Sequence, residues 1–149
     1  MKKVIVSMIF LLILSASFAQ NTKKQIVADP RIIEVFGQET VDFYLSNNPS
    51  TIRYYNFFLD NSYSIAELPQ EKMSGIQDIP ELKLKEKFQS DVVDYTDKGI
   101  ENLNIMKYDL KIDSNVGPIY RLGNTNKLIF FLSGKEIQNL YNKYLMESK

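Results

Sequence analysis

"KLIFFLSGKEIQNLYNKYL" (residues 127–145) predicts a buried strand followed directly by an amphipathic helix. The first seven residues are apolar almost throughout, which indicates a central strand that is covered on both faces. Ser133 and Glu136 match the S-x-x-E capping box, in which two side chains satisfy backbone donors where a helix begins. The apolar residues after the box recur at the spacing of one helical face. They are Ile137, Leu140, Tyr141, Tyr144 and Leu145.

The segments before this unit predict the remaining strands. "NIMKYDLKI" (104–112) and "PIYRLG" (118–123) are separated by the turn "DSNVG" and followed by the turn "NTN". Together with 127–133 they predict a three-strand antiparallel meander. "SYSIAEL" (62–68) alternates as a strand that ends before Pro69, and the Lys-rich "ELKLKEKF" (81–88) is compatible with an edge strand.

The N-terminal half predicts two or three short packed helices between residues 30 and 61. Asp29 is a good N-cap with Pro30 in the first turn, Gly37 ends that helix, and Pro49 begins another. The predicted fold class is α+β, with short N-terminal helices, a small antiparallel sheet and a C-terminal amphipathic helix. We expect one domain over residues 29–149, with an irregular, charge-rich segment at 69–102.

"YYNFFLDNSYSI" (residues 54–65) places five aromatic residues within twelve positions. Successive residues of a helix are rotated by about 100°, so these rings cannot all face one core. Two interpretations remain open: either flanking helices and the sheet cover every ring, or some rings bind another protein, as interface aromatics often do. The second interpretation selects Tyr54, Phe57, Asn61 and Tyr63 as candidate partner-binding residues.

The N-terminal sequence predicts export. Lys2 and Lys3 precede an apolar run from Val4 to Leu14, and small residues before Ala19 indicate signal-peptide cleavage after that residue. An uncleaved membrane anchor is the alternative. Residues 1–19 are therefore interpreted as a signal peptide and the polar residues 20–28 as a disordered leader, which leaves a mature chain with no membrane span, located in the periplasm. Loss of both lysines changes Lys+Arg from 18 to 16 against 18 Asp+Glu, a net charge of about −2, and this does not favour nucleic-acid binding.

The composition excludes several kinds of chemistry. The chain has no His and no Cys, which excludes Ser-His-Asp and Cys-His catalysis, His-ligated zinc and thiolate metal sites. Nucleotide-binding glycine motifs are missing as well. We therefore predict a protein that is not an enzyme and has no catalytic residues, cofactor or metal.

Carboxylates are the remaining catalytic option, because a pair of them can hydrolyse glycosides. The candidates are Glu67, Asp91, Asp94, Asp109 and Asp113. Solvated surface charge is the simpler interpretation of these residues. "DVVDYTDKG" (91–99) and "DLKIDSNVG" (109–117) are acidic and end in glycine, but neither has the calcium-loop spacing, and turn chemistry explains both.

Four stretches resemble small periplasmic proteins of Bacteroidota: "DPRIIEVFGQ" (29–38), "NNPSTIRYYNFFLDNSYSI" (47–65), "LNIMKYDL" (103–110) and "LIFFLSGKE" (128–136). The chain resembles the PorD family of accessory proteins of the type IX secretion translocon. This resemblance implies a non-enzymatic periplasmic subunit that contacts other translocon components, and it carries over no site residues. The alternative is a small periplasmic protein that binds glycan or peptidoglycan, or hydrolyses it with carboxylates.

Overall fold

The computed structural model describes residues 25–69, 71–72 and 78–148. The predicted signal peptide and residues 20–24 of the predicted leader lie outside these ranges. Five helices are described: α1 (Pro30–Phe36), α2 (Gln38–Asn47), α3 (Pro49–Asn61), α4 (Asp97–Glu101) and α5 (Gly134–Glu147). Three strands, β1 (Tyr63–Glu67), β2 (Ile119–Arg121) and β3 (Lys127–Phe131), form an antiparallel sheet in the order β1-β3-β2. The predicted α+β class, with a closing C-terminal helix, is confirmed.

The predicted central strand is β3. Both outer strands pair with it antiparallel, so that Ile129 lies opposite Ile65 on one side and Tyr120 on the other. Leu128 and Ile129 are both buried although successive strand residues point to opposite faces. The uninterrupted apolar run at this position therefore reflects cover on both faces of the sheet.

The strand predicted for residues 104–112 is wrong. Ile105–Lys107 forms a 3₁₀ turn instead, and only one isolated bridge, between Leu84 and Tyr108, remains. Asn104 begins this turn by accepting a hydrogen bond from the Met106 amide. Ile105 and Met106 are adjacent and both buried in the same core cluster. A strand would direct them to opposite faces, whereas a turn allows both side chains to pack into one core. The third strand of the sheet is therefore β1, and the predicted three-strand C-terminal meander is not formed.

The edge strand predicted for 81–88 is reduced to isolated bridges. Glu81 bridges Arg121 in a parallel sense, and residues 86–88 turn into a 3₁₀ helix. The segment nevertheless runs beside β2, because the Leu82 amide donates to the Arg121 carbonyl at 2.9 Å.

Predicted helix starts are confirmed in atomic detail. The carboxylate of Asp29 accepts from the Arg31 amide at 2.8 Å, and Pro30 opens α1. At α5 the capping box is complete: the Ser133 hydroxyl accepts from the Glu136 amide, and the Glu136 carboxylate accepts from the Ser133 amide at 2.8 Å. Local sequence therefore sets where these two helices begin.

The main core lies between the N-terminal helices, the 3₁₀ turn at 105–107 and one face of the sheet. Its fully buried large side chains are Ile32, Val41, Ile52, Leu59, Ile105, Leu122 and Ile129. Residues 25–28 form no helix or strand, but Ala28 is buried and the Val27 carbonyl accepts a hydrogen bond from Asn56 at 2.7 Å. Among the described helices, none has the length and apolar character needed to cross a bilayer.

Candidate protein-docking surface

Helix α3 carries apolar side chains on two faces. Ile52, Tyr55 and Leu59 share the face that packs against the main core. Tyr54 and Phe57 lie on another side of the helix, because residues three apart are neighbours and each residue advances about 100°. This second face meets α5.

Phe57 is covered by α5 and is not a surface residue. Its side chain is 6% exposed and packs with Ile137 and Tyr141 in a second, smaller core cluster. The prediction that Phe57 binds a partner is therefore corrected. On α3 considered alone this ring has no cover, and the residues that cover it lie on α5, where Ile137 is 80 positions later in the chain.

The rings between α3 and α5 form a continuous aromatic seam, defined as Tyr54, Phe57, Tyr141 and Tyr144. Tyr54 meets Tyr141 edge to face with 5.0 Å between ring centroids. Phe57 lies 5.2 Å from Tyr141 and 5.4 Å from Tyr144, and the two α5 tyrosines stack at 6.2 Å. Such geometries add attraction beyond buried area, so the seam fixes α5 to α3.

Burial affects the tyrosine hydroxyls of the seam. Desolvation raises the pKa of Tyr54, and it also raises the pKa of Tyr141, where the nearby Arg53 opposes part of the effect. Both groups are therefore neutral phenols at physiological pH and can donate as well as accept hydrogen bonds. The seam thus combines apolar area with polar groups in the manner of protein interfaces.

One border of the aromatic seam is open. Leu140 is 43% exposed and Tyr144 is 41% exposed, although both belong to the apolar stripe of α5. Domain packing covers Ile137 and Tyr141 from the same stripe. Sequence reasoning did not select Leu140 or Tyr144 as candidates. The sequence feature that could have identified them is the width of the apolar stripe of α5, which spans five apolar positions.

The other candidate residues lie on both sides of the turn that leads from α3 into β1. Tyr54 is half-buried in the seam, and Asn61 is exposed and donates to the Phe57 carbonyl at 2.9 Å. Tyr63 opens β1, is half-buried, and lies 5.8 Å from the Phe131 ring. The structure therefore brings Tyr54 and Phe57 together in the seam, whereas Tyr63 belongs to the sheet.

The candidate carboxylates serve local structure. Asp94 accepts from the Thr96 amide, and Asp113 accepts from the amides of Asn115 and Val116. These backbone hydrogen bonds lower the pKa of both carboxyls. A general acid needs the opposite shift, so the turns explain these two residues.

The remaining carboxylate candidates are also paired or exposed. Asp91 meets Lys107 at 2.7 Å, Glu67 accepts from Asn126 at 2.9 Å, and Asp109 is exposed. Lys107 also pairs with Glu34, and its ammonium therefore ties α1 to the irregular segment. Within the described ranges, acidic residues form no group of three that could hold a metal ion.

The fold and surface define a small α+β domain with a tyrosine-rich, partly open helical face. Comparison with protein families, curated proteins and solved structures gives no significant match.

Proposed function

We propose that this protein is a non-enzymatic periplasmic subunit of a secretion translocon of the type IX kind, which acts by binding other envelope proteins. The observation that carries the proposal is the open border of the aromatic seam, where Leu140 and Tyr144 are more than two-fifths exposed. Aromatic side chains bury a large area at a small entropic cost, which favours them in interfaces.

The charge distribution on α5 supports the same proposal. Lys143 and Glu147 form an exposed pair one turn apart on that helix, with 3.8 Å between nitrogen and oxygen. An apolar centre with a polar, solvent-exposed rim is the usual anatomy of a protein interface. Leu140 and Tyr144 would supply the centre, and the polar residues of α5 the rim.

Co-purification after in-cell crosslinking tests this proposal. We expect tagged wild-type chain to recover outer-membrane and periplasmic components of the translocon, and the Leu140→Glu/Tyr144→Glu double variant to recover at least about ten-fold less. Loss of two interface anchors commonly costs this much or more. Phe43→Glu is the matched control, since Phe43 is an aromatic residue of α2 that is 62% exposed and outside the seam.

Circular dichroism must show that each variant is folded before its recovery is compared. Equal recovery by wild type and the double variant would contradict the use of this surface. Failure of the folded wild type to recover any translocon component, together with binding of purified peptidoglycan, would favour the glycan-binding alternative.

A further inference from the structure

The two outer strands of the sheet differ in whether another segment of the described chain covers their outer edge. On β2 the Arg121 amide donates to the Pro80 carbonyl, and the Arg121 carbonyl accepts from the Leu82 amide, both at 2.9 Å. The segment around residues 80–82 therefore occupies the outer edge of β2. Natural proteins commonly cover sheet edges in this way.

The outer edge of β1 has no such cover among the described residues. The Leu132 amide donates to Ser62 and the Leu68 amide donates to Asn126, so even-numbered residues of this strand face β3. Antiparallel pairing then directs the N–H and C=O groups of the odd-numbered residues outward. These residues are Tyr63, Ile65 and Glu67, and no backbone partner within the described ranges meets their amides or carbonyls.

An acidic hollow opens beside the first residue of this edge. It has a volume of about 540 Å³ and is lined by Tyr63 together with Asp29, Arg31, Asp60 and Glu101. Arg31 is held by Asp29 at 2.8 Å and by Asp60 at 2.7 Å, and the Asp60 side chain remains 63% exposed. Three carboxylates against one guanidinium leave the hollow with a charge of about −2.

We propose that β1 accepts an extended segment of a partner protein as a fourth strand, and that the acidic hollow holds a lysine or arginine of that segment. Strand addition supplies affinity through backbone hydrogen bonds, and alternate side chains supply specificity. A strand beside β1 would direct every second side chain to the face that carries Tyr63, where the hollow opens. The charge of the hollow therefore selects a basic side chain there.

A second copy of this chain fits the edge less well. Antiparallel pairing of two copies about Ile65 would place Tyr63 of one copy opposite Glu67 of the other. Glu67 would then lie beside the acidic hollow, and like charges oppose such pairing. The charges therefore favour a basic segment of a different protein.

The inference rests on the proposed function in one respect only, because it takes the occupant to be a protein. It is tested with purified chain and short synthetic peptides, so it does not depend on recovery of the translocon. Peptide binding without co-purification would contradict the translocon proposal alone, and co-purification without peptide binding would contradict this inference alone.

Amide hydrogen exchange measured by NMR gives the direct test. The probe is a soluble peptide of alternating threonine and valine with two lysines, and its counterpart carries glutamate in place of both lysines. We expect the lysine peptide to slow exchange at Tyr63, Ile65 and Glu67, while Ser64 and Ala66, which face β3, change little. Absence of this alternation, or equal binding of the glutamate peptide, would overturn the proposal.

Two sets of variants separate the edge from the hollow. Glu67→Pro removes one outward amide, and Glu67→Thr is its matched control because it removes the same carboxylate and keeps the amide. The Asp60→Asn/Glu101→Gln variant alters two exposed carboxylates of the hollow. We expect at least ten-fold weaker lysine-peptide binding for Glu67→Pro relative to Glu67→Thr, and for Asp60→Asn/Glu101→Gln relative to wild type. Unchanged affinity in both, or slowed exchange at the β1 edge caused by dimerisation without peptide, would count against the inference.

Discussion

Single residues decide how closely neighbouring segments approach. Gly117 precedes β2, where a Cβ atom would collide with the backbone carbonyl oxygen of Phe131 in β3. Gly134 opens α5, where a Cβ would meet the backbone of Asp113 and Ser114 at 3.4 Å, an ordinary contact distance. The two glycines therefore differ in the space available for a side chain: Gly117 has none, whereas Gly134 has room for a Cβ atom.

We predict opposite effects of alanine at these two positions. Gly117→Ala should lower the free energy of unfolding by about 2–3 kcal/mol, because the backbone of β3 has to move. Gly134→Ala should change it by less than about 1 kcal/mol, and in the stabilising direction, since alanine restricts the unfolded chain. Urea unfolding of both variants measures the difference, and equal costs would contradict the close approach at Gly117.

The ion pairs of Lys107 could not be predicted from the sequence. Its ammonium pairs with Glu34 and Asp91, and the Glu34 carboxylate also accepts from Asn104 at 2.9 Å. The partner Glu34 lies on α1, 73 positions earlier than Lys107. Charge patterns over a few residues carry no signal for a network of this range.

At the scale of elements, the attachment of α5 to α3 depends on the aromatic seam. Phe57 is nearly buried there, whereas Phe43 on the neighbouring helix α2 is mostly exposed. Both residues are phenylalanines within helices, so a comparison between them isolates the effect of packing beneath α5.

We predict that Phe57→Ala lowers the free energy of unfolding by about 3–5 kcal/mol, the usual range for a buried phenylalanine. Phe43→Ala should change it by no more than about 0.5 kcal/mol, as expected for an exposed site. Chemical denaturation provides both values. A Phe57→Ala variant as stable as Phe43→Ala would mean that α5 does not pack on α3 as described.

Elements with strong local signals were predicted well. The capping box of α5, the Asp29 cap of α1 and the apolar run of β3 are each contained in a few adjacent residues, and all three are confirmed. The predicted strand at 104–112 failed because the burial of Ile105 and Met106 and the bonds of Asn104 depend on α1. Tertiary contacts overrode the local strand preference there.

At the scale of the whole molecule, composition controls the response to pH. The chain has no His and no Cys, so no side chain has an ordinary pKa between about 6 and 9. The hydrogen bond from Arg31 lowers the pKa of Asp29, and that from Ser133 lowers the pKa of Glu136. Burial raises the pKa of Tyr63 and of Tyr108.

We predict a stability plateau between about pH 6 and pH 9 with losses on both sides. A carboxyl with a lowered folded-state pKa contributes stability above its unfolded pKa, and this is lost as pH falls below about 4. A tyrosine with a raised folded-state pKa contributes stability that is complete below its unfolded pKa of about 10 and is lost as pH rises above it. Urea unfolding across this range tests the profile, and a marked change between pH 6 and 9 would contradict it.

Residue patterns alone specify the α+β class, the order of the main elements, the caps of α1 and α5 and the central place of β3, because each depends on periodicity or side-chain chemistry within one short segment. Long-range packing sets three further features: β1 completes the sheet, α5 covers Phe57, and Leu140 and Tyr144 stay exposed at the seam. These features depend on contacts between residues that are far apart along the chain. The burial of a side chain is set by its neighbours in space, and a local pattern does not specify which of its apolar positions those neighbours will cover.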